Sequence, residues 1–295
     1  MNDANEVRRG IGTLYVVATP IGNLADLSQR AIDVLHRVDR ILAEDTRRTA
    51  RLLQHYAIRT PMLAMHEHNE RDLAPQLVGQ LVQGYNLALV SDAGTPLISD
   101  PGYNLVRHAR DAGVDVVAVP GPSALIAALS VSGLPTDRFV FEGFLPSRKL
   151  ARKSRLEALR AESRTLVFYE ASHRILDCLK DMLVAFGVER RAVLARELTK
   201  QFETVVAGSL QSLLRRVEDD PNQQKGEFVI LVEGQEADAA HAVDAEAERV
   251  LKVLLDELPI KTAAKLAARI TGRNKRALYE RALALREHDV PQAGD

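Results

Sequence analysis

The sequence is short of cysteine, of aromatics and of net charge, and each shortage excludes something. Cys178 is the single cysteine among 295 residues. That rules out a disulfide framework and any cysteine-based zinc site, and it fits a reducing cytoplasm. Aromatic residues make up 4% of the chain, so no base-stacking platform for single strands is evident. The 39 basic and 40 acidic residues leave a net charge of -1, which excludes a uniformly basic nucleic-acid coat but not a local basic patch. No apolar run approaches the ~18 residues of a membrane span. Residues Met1 to Gly12 are polar and charged, with no apolar stretch of the kind a signal peptide needs. The expectation is a soluble, cytoplasmic protein with no membrane partner.

Familiar ligand motifs are missing too. No G-x-G-x-x-G follows the first apolar run, and neither G-x-x-x-x-G-K-[ST] nor G-x-S-x-G occurs. A typical dinucleotide fingerprint, an NTPase phosphate loop and a hydrolase elbow are thereby disfavoured. His66-Glu67-His68 has no accompanying His/Asp cluster at helical spacing, so no metal is expected.

What is present is globular. Hydrophobic residues make up 46% and charged residues 27%, and the length allows about two domains with a small appendage. The first half alternates apolar runs with amphipathic stretches. Strands are predicted at 14–18, 40–44, 61–65, 86–92 and 114–121. Helices are predicted at 28–38, 46–56, 69–83, 103–113 and 122–133, with Ser28 as an N-cap and Pro122 in the first helical position. This alternation predicts an α/β fold built on a parallel sheet with helices on both faces. The second half repeats the class less regularly. A strand at 137–144, a basic helix at 147–162, a strand at 165–170 and a helix at 172–187 lead into AVLARELT, ETVVAGS and EFVILVEG. Those last three read as strands joined by hairpins in a mixed sheet. The expected organisation is an N-terminal α/β domain over 1–134, a second α/β domain over 135–234, a linker over 235–245 and a basic helical tail domain over 246–295. The tail has the spacing of a helix-turn-helix hairpin.

Two stretches are strongly basic, 146–164 and 259–288. They are read either as solvated helix faces or as phosphate contacts. On the second reading the contacts are Lys153, Lys265, Arg273, Lys275 and Arg276, with Arg47 and Arg48 on the helix at 46–56 guiding phosphates.

The residues most suited to chemistry lie where strands end, because open parallel sheets bind ligands there. Three Gly/Pro turns qualify: TPIGN (19–23), SDAGTP (91–96) and PGPSA (120–124). Asp92 adds a carboxylate at a strand end.

Those turns, with YVVATPIGNLADLSQRA, LAEDTRRTARLL, SDAGTPLISDPG, VPGPSALIAALSVSGLP, FEGFLP, FYEASHR, RELTKQFE and KGEFVILVEG, resemble the tetrapyrrole-methylase superfamily of S-adenosylmethionine-dependent methyltransferases. The likeness is to its ribosomal RNA small subunit methyltransferase I branch and runs from about Thr13 to Gly234, and the basic tail also fits that branch. It implies two α/β domains with the methyl donor in the cleft between them, and a homodimer. It implies 2'-O-methylation of a cytidine ribose in 16S rRNA, near the decoding centre, with 16S rRNA or the small ribosomal subunit as partner. Members that act on tetrapyrroles carry a first turn of the form G-x-G-P-G-D, whereas this chain has A-T-P-I-G-N (18–23). Carried over by position, Pro20, Asp92, Gly94, Thr95, Pro96, Ser123 and Ala124 would hold the donor, together with backbone near Phe168 and near Phe228 or Val229.

A ribose hydroxyl is a weak nucleophile, so a proton acceptor or a cation beside the developing alkoxide would help. Glu170 and Lys200 are the expected catalytic groups, with His173, Glu203, Glu44 and Asp45 as further candidates. Structural ion pairs, Glu170 with Arg174 and Asp45 with Arg48, are the competing reading. Two other functions stay open: methylation of a small tetrapyrrole-like molecule, and RNA binding without catalysis.

Overall fold

The computed structural model describes residues 10–235 and 245–288, in two compact units divided after Gly234. The first unit carries two five-stranded sheets. Its chain runs β1 (Thr13–Val17), α1 (Gln29–Arg37), β2 (Arg40–Ala43), α2 (Thr46–His55), β3 (Met62–Ala64), α3 (Glu70–Val82), β4 (Leu87–Val90), α4 (Tyr103–Asp111), β5 (Asp115–Val119) and α5 (Ala124–Ser132). The five strands are parallel, in the order β3-β2-β4-β1-β5. Every residue of β4 is buried, because helices cover both faces. One face packs Val17, Ile41 and Val90 under α1 and α2, and the other packs Leu14, Leu42 and Leu89 under α3 and α4. Local sequence sets the helix starts. Ser28 accepts the Ala31 N–H at 3.1 Å, and Asp45 accepts that of Arg47 at 2.9 Å, each satisfying a backbone donor the helix cannot.

The second sheet runs β6 (Phe139–Phe144), α6 (Lys149–Ala158), β7 (Thr165–Ala171), α7 (Ile175–Phe186), β8 (Arg191–Arg196), β9 (Thr204–Ser209), α8 (Leu210–Asp219) and β10 (Glu227–Val232). Its order is β6-β7-β10-β8-β9, with only β6 and β7 parallel. The sheet is mixed, as the open strand spacing predicts. Three expectations need correction. A helix, α8, stands between β9 and β10 where a hairpin was expected. Its Leu210, Leu213, Leu214 and Val217 recur at helical spacing and are buried. Pro122 lies outside α5, whose N-cap is Ser123. The helix at 147–162 shortens to α6, because residues 159–162 leave it through a series of turns.

The second unit contains α9 (Ala245–Glu257), α10 (Ile260–Thr271) and α11 (Lys275–His288). Leu251, Leu255, Ala263, Ala267, Leu278 and Ala282 make its core. Gly272 ends α10 in the left-handed conformation, and Asn274 accepts the Arg276 N–H at 2.8 Å to start α11. Small alanines let these helices approach closely. Residues 236–244, most of the expected linker, lie outside the described residues. Among the described residues no helix is long and apolar enough to cross a membrane.

Arg152 of α6 is buried with Asp181 of α7, and two of its nitrogens lie 2.8 Å from Oδ2. Removing one partner strands the other charge in an apolar core. Arg152→Ala is expected to lose about 3–5 kcal/mol in urea unfolding, whereas Arg152→Met with Asp181→Leu loses far less.

Candidate active site

The three Gly/Pro turns meet, because β4, β1 and β5 are neighbours and point the same way. Thr19 and Gly94 exchange backbone hydrogen bonds of 2.9 and 3.0 Å, and the Thr95 hydroxyl donates to the Pro122 carbonyl at 3.1 Å. The end of β2 joins through the Asp45 N–H, which donates to Asp92 Oδ1 at 2.9 Å. Gly94 has φ +82° and approaches Ile21 closely. At Gly22 a Cβ would fall 2.4 Å from Lys200 Cγ, so the first turn accepts the lysine stem only because it lacks a side chain.

Facing these turns, the second sheet closes a cleft of about 430 Å³, within the range of small-molecule sites. Of the donor residues expected from the sequence, Asp92, Gly94, Thr95, Ser123 and Ala124 line it, and Pro20 and Pro96 do not. Pro96 is buried and Pro20 half-buried, so both shape the turns from behind. On the opposite wall are Phe144, Tyr169, Ala195, Leu198, Phe228 and Val229. Near Phe168, whose side chain sits within the α7–α8 core, the neighbouring Tyr169, Glu170 and Ala171 line the cleft. The Tyr169 hydroxyl accepts the Leu125 N–H at the start of α5 at 3.1 Å, and burial pushes its pKa up.

The two expected catalytic residues fare differently from that expectation. Side chains alternate along a strand. Glu170 therefore shares the face of Leu166 and Phe168, and Tyr169 that of Val167. Glu170 meets the cleft wall at the strand's end, but its carboxylate is held on the α7 side. Oε1 accepts the Ala171 N–H at 2.8 Å and lies 3.3 Å from Arg174. The ion pair with Arg174 is present, while Oε2 is buried with no hydrogen-bond partner. Lys200 stands at the rim, 2.8 Å from Glu197 and 2.9 Å from Glu227. Burial alone would lower its pKa, but the hydrogen bonds to these two carboxylates prevail and raise it. Its ammonium is held between these two carboxylates. Cys178 packs in the core beside Glu170, and burial raises its thiol pKa.

Sequence reasoning passed over Asp100. It lies in SDAGTPLISDPG, beyond the part of that segment assigned to the donor. Two residues with left-handed backbone, Leu97 (φ 73°) and Ser99 (φ 69°), precede it, a conformation that ordinary residues adopt only under strain. They bring Asp100 into the cleft with Glu44 and Asp92. Burial first, and then the charge of Glu44, raise its pKa to about 6. Burial and the nearby Asp92 also raise that of Glu44. The unusual backbone is the missing signal, since no residue pattern marks a left-handed leucine.

The expected phosphate contacts divide. Arg48 pairs with Asp92 at 3.2 Å, and Arg47, not Arg48, pairs with Asp45 at 3.0 Å. Hydrogen bonds from Arg47 hold the Asp45 carboxyl down at about 2. The first basic stretch is largely answered by acids within it and on neighbouring elements. Arg152 and Lys153 face Asp181, Arg155 faces Glu142, Arg160 faces Glu157 and Arg164 faces Glu162. In the tail unit Lys261, Lys265, Arg269, Arg273, Lys275 and Arg276 are exposed, with Arg276 bonded to Glu280 at 3.0 Å. Among the described residues no group of His, Cys, Asp and Glu is arranged to hold a metal ion.

A family profile described as "Tetrapyrrole (Corrin/Porphyrin) Methylases" matches residues 13–214. The chain belongs to the tetrapyrrole methylase family. A second profile, "RsmI C-terminal HTH domain", matches residues 241–286. A relative from Xylella fastidiosa, named "Ribosomal RNA small subunit methyltransferase I", is 59% identical over 91% of this chain and 98% of its own. One of the same name from Pseudomonas aeruginosa is 58% identical over 92% and 97%. Among solved structures, a uroporphyrin-III-C-methyltransferase from Thermus thermophilus superposes with a TM-score of 0.53 at 20% identity, covering 75% of this chain and 94% of its own. That family member shares the fold.

The Gly94 turn gives a stability test. Gly94→Ala forces a side chain into a left-handed conformation beside Ile21, at an expected cost of about 1–2 kcal/mol in thermal or urea unfolding. Gly79→Ala, in the open interior of α3 with nothing within 4 Å of the added carbon, is expected to stabilise by about 0.5–1 kcal/mol.

Proposed function

We propose that this chain is an S-adenosylmethionine-dependent methyltransferase that modifies small-subunit ribosomal RNA, placing a methyl group on the 2'-oxygen of a cytidine ribose in 16S rRNA near the decoding centre. The reading rests above all on the 59% and 58% identity, over nearly their full length, to relatives named for rRNA methylation. The site itself supports a methyl donor. S-adenosylmethionine, when bound, supplies a methyl group on a positively charged sulfur. The Gly94 turn lets backbone approach a ligand closely, the wall at Phe144 and Val229 offers apolar surface to a flat ring, and Glu44, Asp92 and Asp100 favour positive charge.

The chain's own part in such a reaction is alignment and exclusion of water. The three turns fix one side, and Tyr169, anchored on the start of α5, fixes the other. Lys200, clasped by Glu197 and Glu227, packs over Gly22 and ties the first turn to the second sheet. We read residues 1–134 as the donor-turn domain, 135–234 as the domain that closes the cleft, and 246–295 as an rRNA contact module whose Lys265, Arg273, Lys275 and Arg276 meet phosphates. With few aromatics, such contacts read backbone and shape. A homodimer acting in the cytoplasm completes the proposal and rests on the family likeness.

The test is transfer of labelled methyl from S-adenosylmethionine to small subunits lacking the modification, with digestion for alkali-resistant dinucleotides. Label at one cytidine, lost in Asp92→Ala, is expected. No transfer to subunits or naked rRNA, with donor binding intact, would shift the reading to a small-molecule methylase. Removing residues 235–295 is expected to keep donor binding while cutting rRNA methylation at least tenfold. Each of Lys265→Ala and Lys275→Ala is expected to lower the salt slope of rRNA binding by about 1.

A further inference from the structure

The donor turns stand at the ends of β4, β1 and β5, and the cleft continues outward past the end of β2, where Glu44 lines it. The next strand out is β3. Its register sets Ala64 beside Ala43, and the Met65 N–H donates to the Ala43 carbonyl at 2.8 Å. His66, Glu67, His68 and Asn69 therefore turn at the level of Glu44 and Asp45. Burial and then Asp92 raise the pKa of Glu44, and the Glu67 carboxylate adds to them. The turn is thus within electrostatic reach of the cleft. Among the described residues no metal-holding group includes its two histidines.

The turn is held by its backbone and by Asn69. Asn69 Oδ1 accepts the His66 N–H at 2.8 Å, and Asn69 Nδ2 donates to the Ala64 carbonyl at 3.2 Å. The His66 carbonyl accepts the N–H groups of Asn69 and Glu70 at 3.1 and 3.0 Å. Glu70, buried at the start of α3, accepts the N–H groups of Asn104 and Leu105 at 2.7 and 3.1 Å. That pins the turn to the start of α4. None of these bonds uses the His66 imidazole. Its Nδ1 is buried without a hydrogen-bond partner. With no acceptor there, the ring proton belongs on Nε2, the nitrogen on the open side of a half-buried ring. The His68 ring meets it edge-on at 5.9 Å. A buried polar atom left unpaired costs about 1–3 kcal/mol, so its presence in a preformed turn calls for a use. We propose that His66 holds the target nucleotide of the rRNA on the acceptor side of the cleft, its Nε2–H donating to an oxygen of that nucleotide. The inference rests on the rRNA methyltransferase reading above.

The position suits the acceptor and not the donor. β3 is separated from β4, the nearest strand that carries a donor turn, by β2. An RNA strand has to lie across this open edge of the cleft to bring a ribose 2'-oxygen to the methyl group. Arg47 starts α2 from the same edge and, although paired with Asp45, keeps 90% of its side chain exposed, a place for a backbone phosphate. A phosphate contact attracts the strand but sets no angle at the ribose. A hydrogen bond is directional, and orientation of the reacting oxygen is what the cleft has to supply. Every oxygen of a nucleotide's phosphate and of its base is an acceptor. Glu44 and Glu67, when ionised, only accept, so the donor at this corner has to come from another side chain. The His66 imidazole meets that need from a turn whose own bonds already fix where it stands.

The test compares wild type with His66→Ala, His66→Asn and His66→Gln. Methylation of small subunits lacking the modification is followed at saturating S-adenosylmethionine while the subunit concentration is varied. The amide nitrogen of glutamine falls near the place of Nε2, and that of asparagine near the place of Nδ1. His66→Ala and His66→Asn are expected to lower kcat/KM for subunits about tenfold, mainly through KM, and His66→Gln to stay within about threefold of wild type. Donor affinity, measured by calorimetry, is expected to be unchanged in all four proteins. Equal losses in His66→Asn and His66→Gln overturn the proposal, because a packing role does not distinguish the two amides in this way. A loss of donor affinity that matches the loss of rate overturns it as well. So does a kcat/KM for His66→Ala equal to that of wild type, an outcome that leaves the methyltransferase reading intact. A wild type that binds donor yet methylates neither subunits nor naked rRNA sinks the functional reading, and the assignment of His66 falls with it. Thermal unfolding checks the fold of each variant. If His66→Ala fails to fold, the contrast between the two amides still decides.

Discussion

The site depends on the pair of hydrogen bonds exchanged by Thr19 and Gly94. They extend the pairing of β1 and β4 past the end of the sheet, where the chain would otherwise diverge into separate loops. Once these two turns are locked, Thr95 reaches the Pro122 carbonyl and Asp92 reaches the Asp45 N–H. Four strand ends thereby become one surface. Gly94 is the residue that permits this, since its backbone conformation is hostile to any side chain. The geometry of the cleft is thus held by backbone bonding with short side chains such as Thr95 and Asp92.

Charge is sorted in the same economical way. The cleft holds acids whose burial, and then whose mutual proximity, raises the pKa of Glu44 and Asp100, while basic groups at its edge are tied to particular carboxylates. Arg48 neutralises Asp92 and Lys200 neutralises Glu197 and Glu227. These pairs are partly exposed, so their worth is positional more than energetic. They decide which carboxylate is left without a cation. The buried Arg152–Asp181 pair works differently, since it joins α6 to α7 where water cannot screen it.

Much of this could be read from the sequence. The parallel sheet was legible because its strands are short apolar runs between amphipathic helices. The three turns were legible because glycine and proline mark chain reversals. The tail hairpin was legible from two short helical stretches separated by TGRN (271–274). Other features were hidden for physical reasons. α8 follows β9 directly at Ser209, and Gly208 lies inside the strand instead of breaking it before the change of period. Glu170 and Tyr169 are adjacent, and which of them faces the cleft depends on the register of β7 against β10, a long-range pairing. Asp100 depends on a left-handed Leu97 and Ser99, which residue identity disfavours and only tertiary structure enforces.

The family resemblance and the local chemistry also inform each other. A shared fold at 20% identity fixes where the strand ends lie, but not which side chains stand on them. In this chain the first turn carries one glycine, Gly22, beneath the Lys200 stem, so the second sheet presses directly on the turn. That contact couples the donor-turn side of the cleft to the wall opposite without any residue of the acidic group taking part. Among the cleft carboxylates Asp92 keeps a structural duty, because it accepts the Asp45 N–H. A fold that secures its cleft by backbone bonds and peripheral clasps can leave an aspartate such as Asp100 at an elevated pKa, because the local instability is carried by the rest of the sheet.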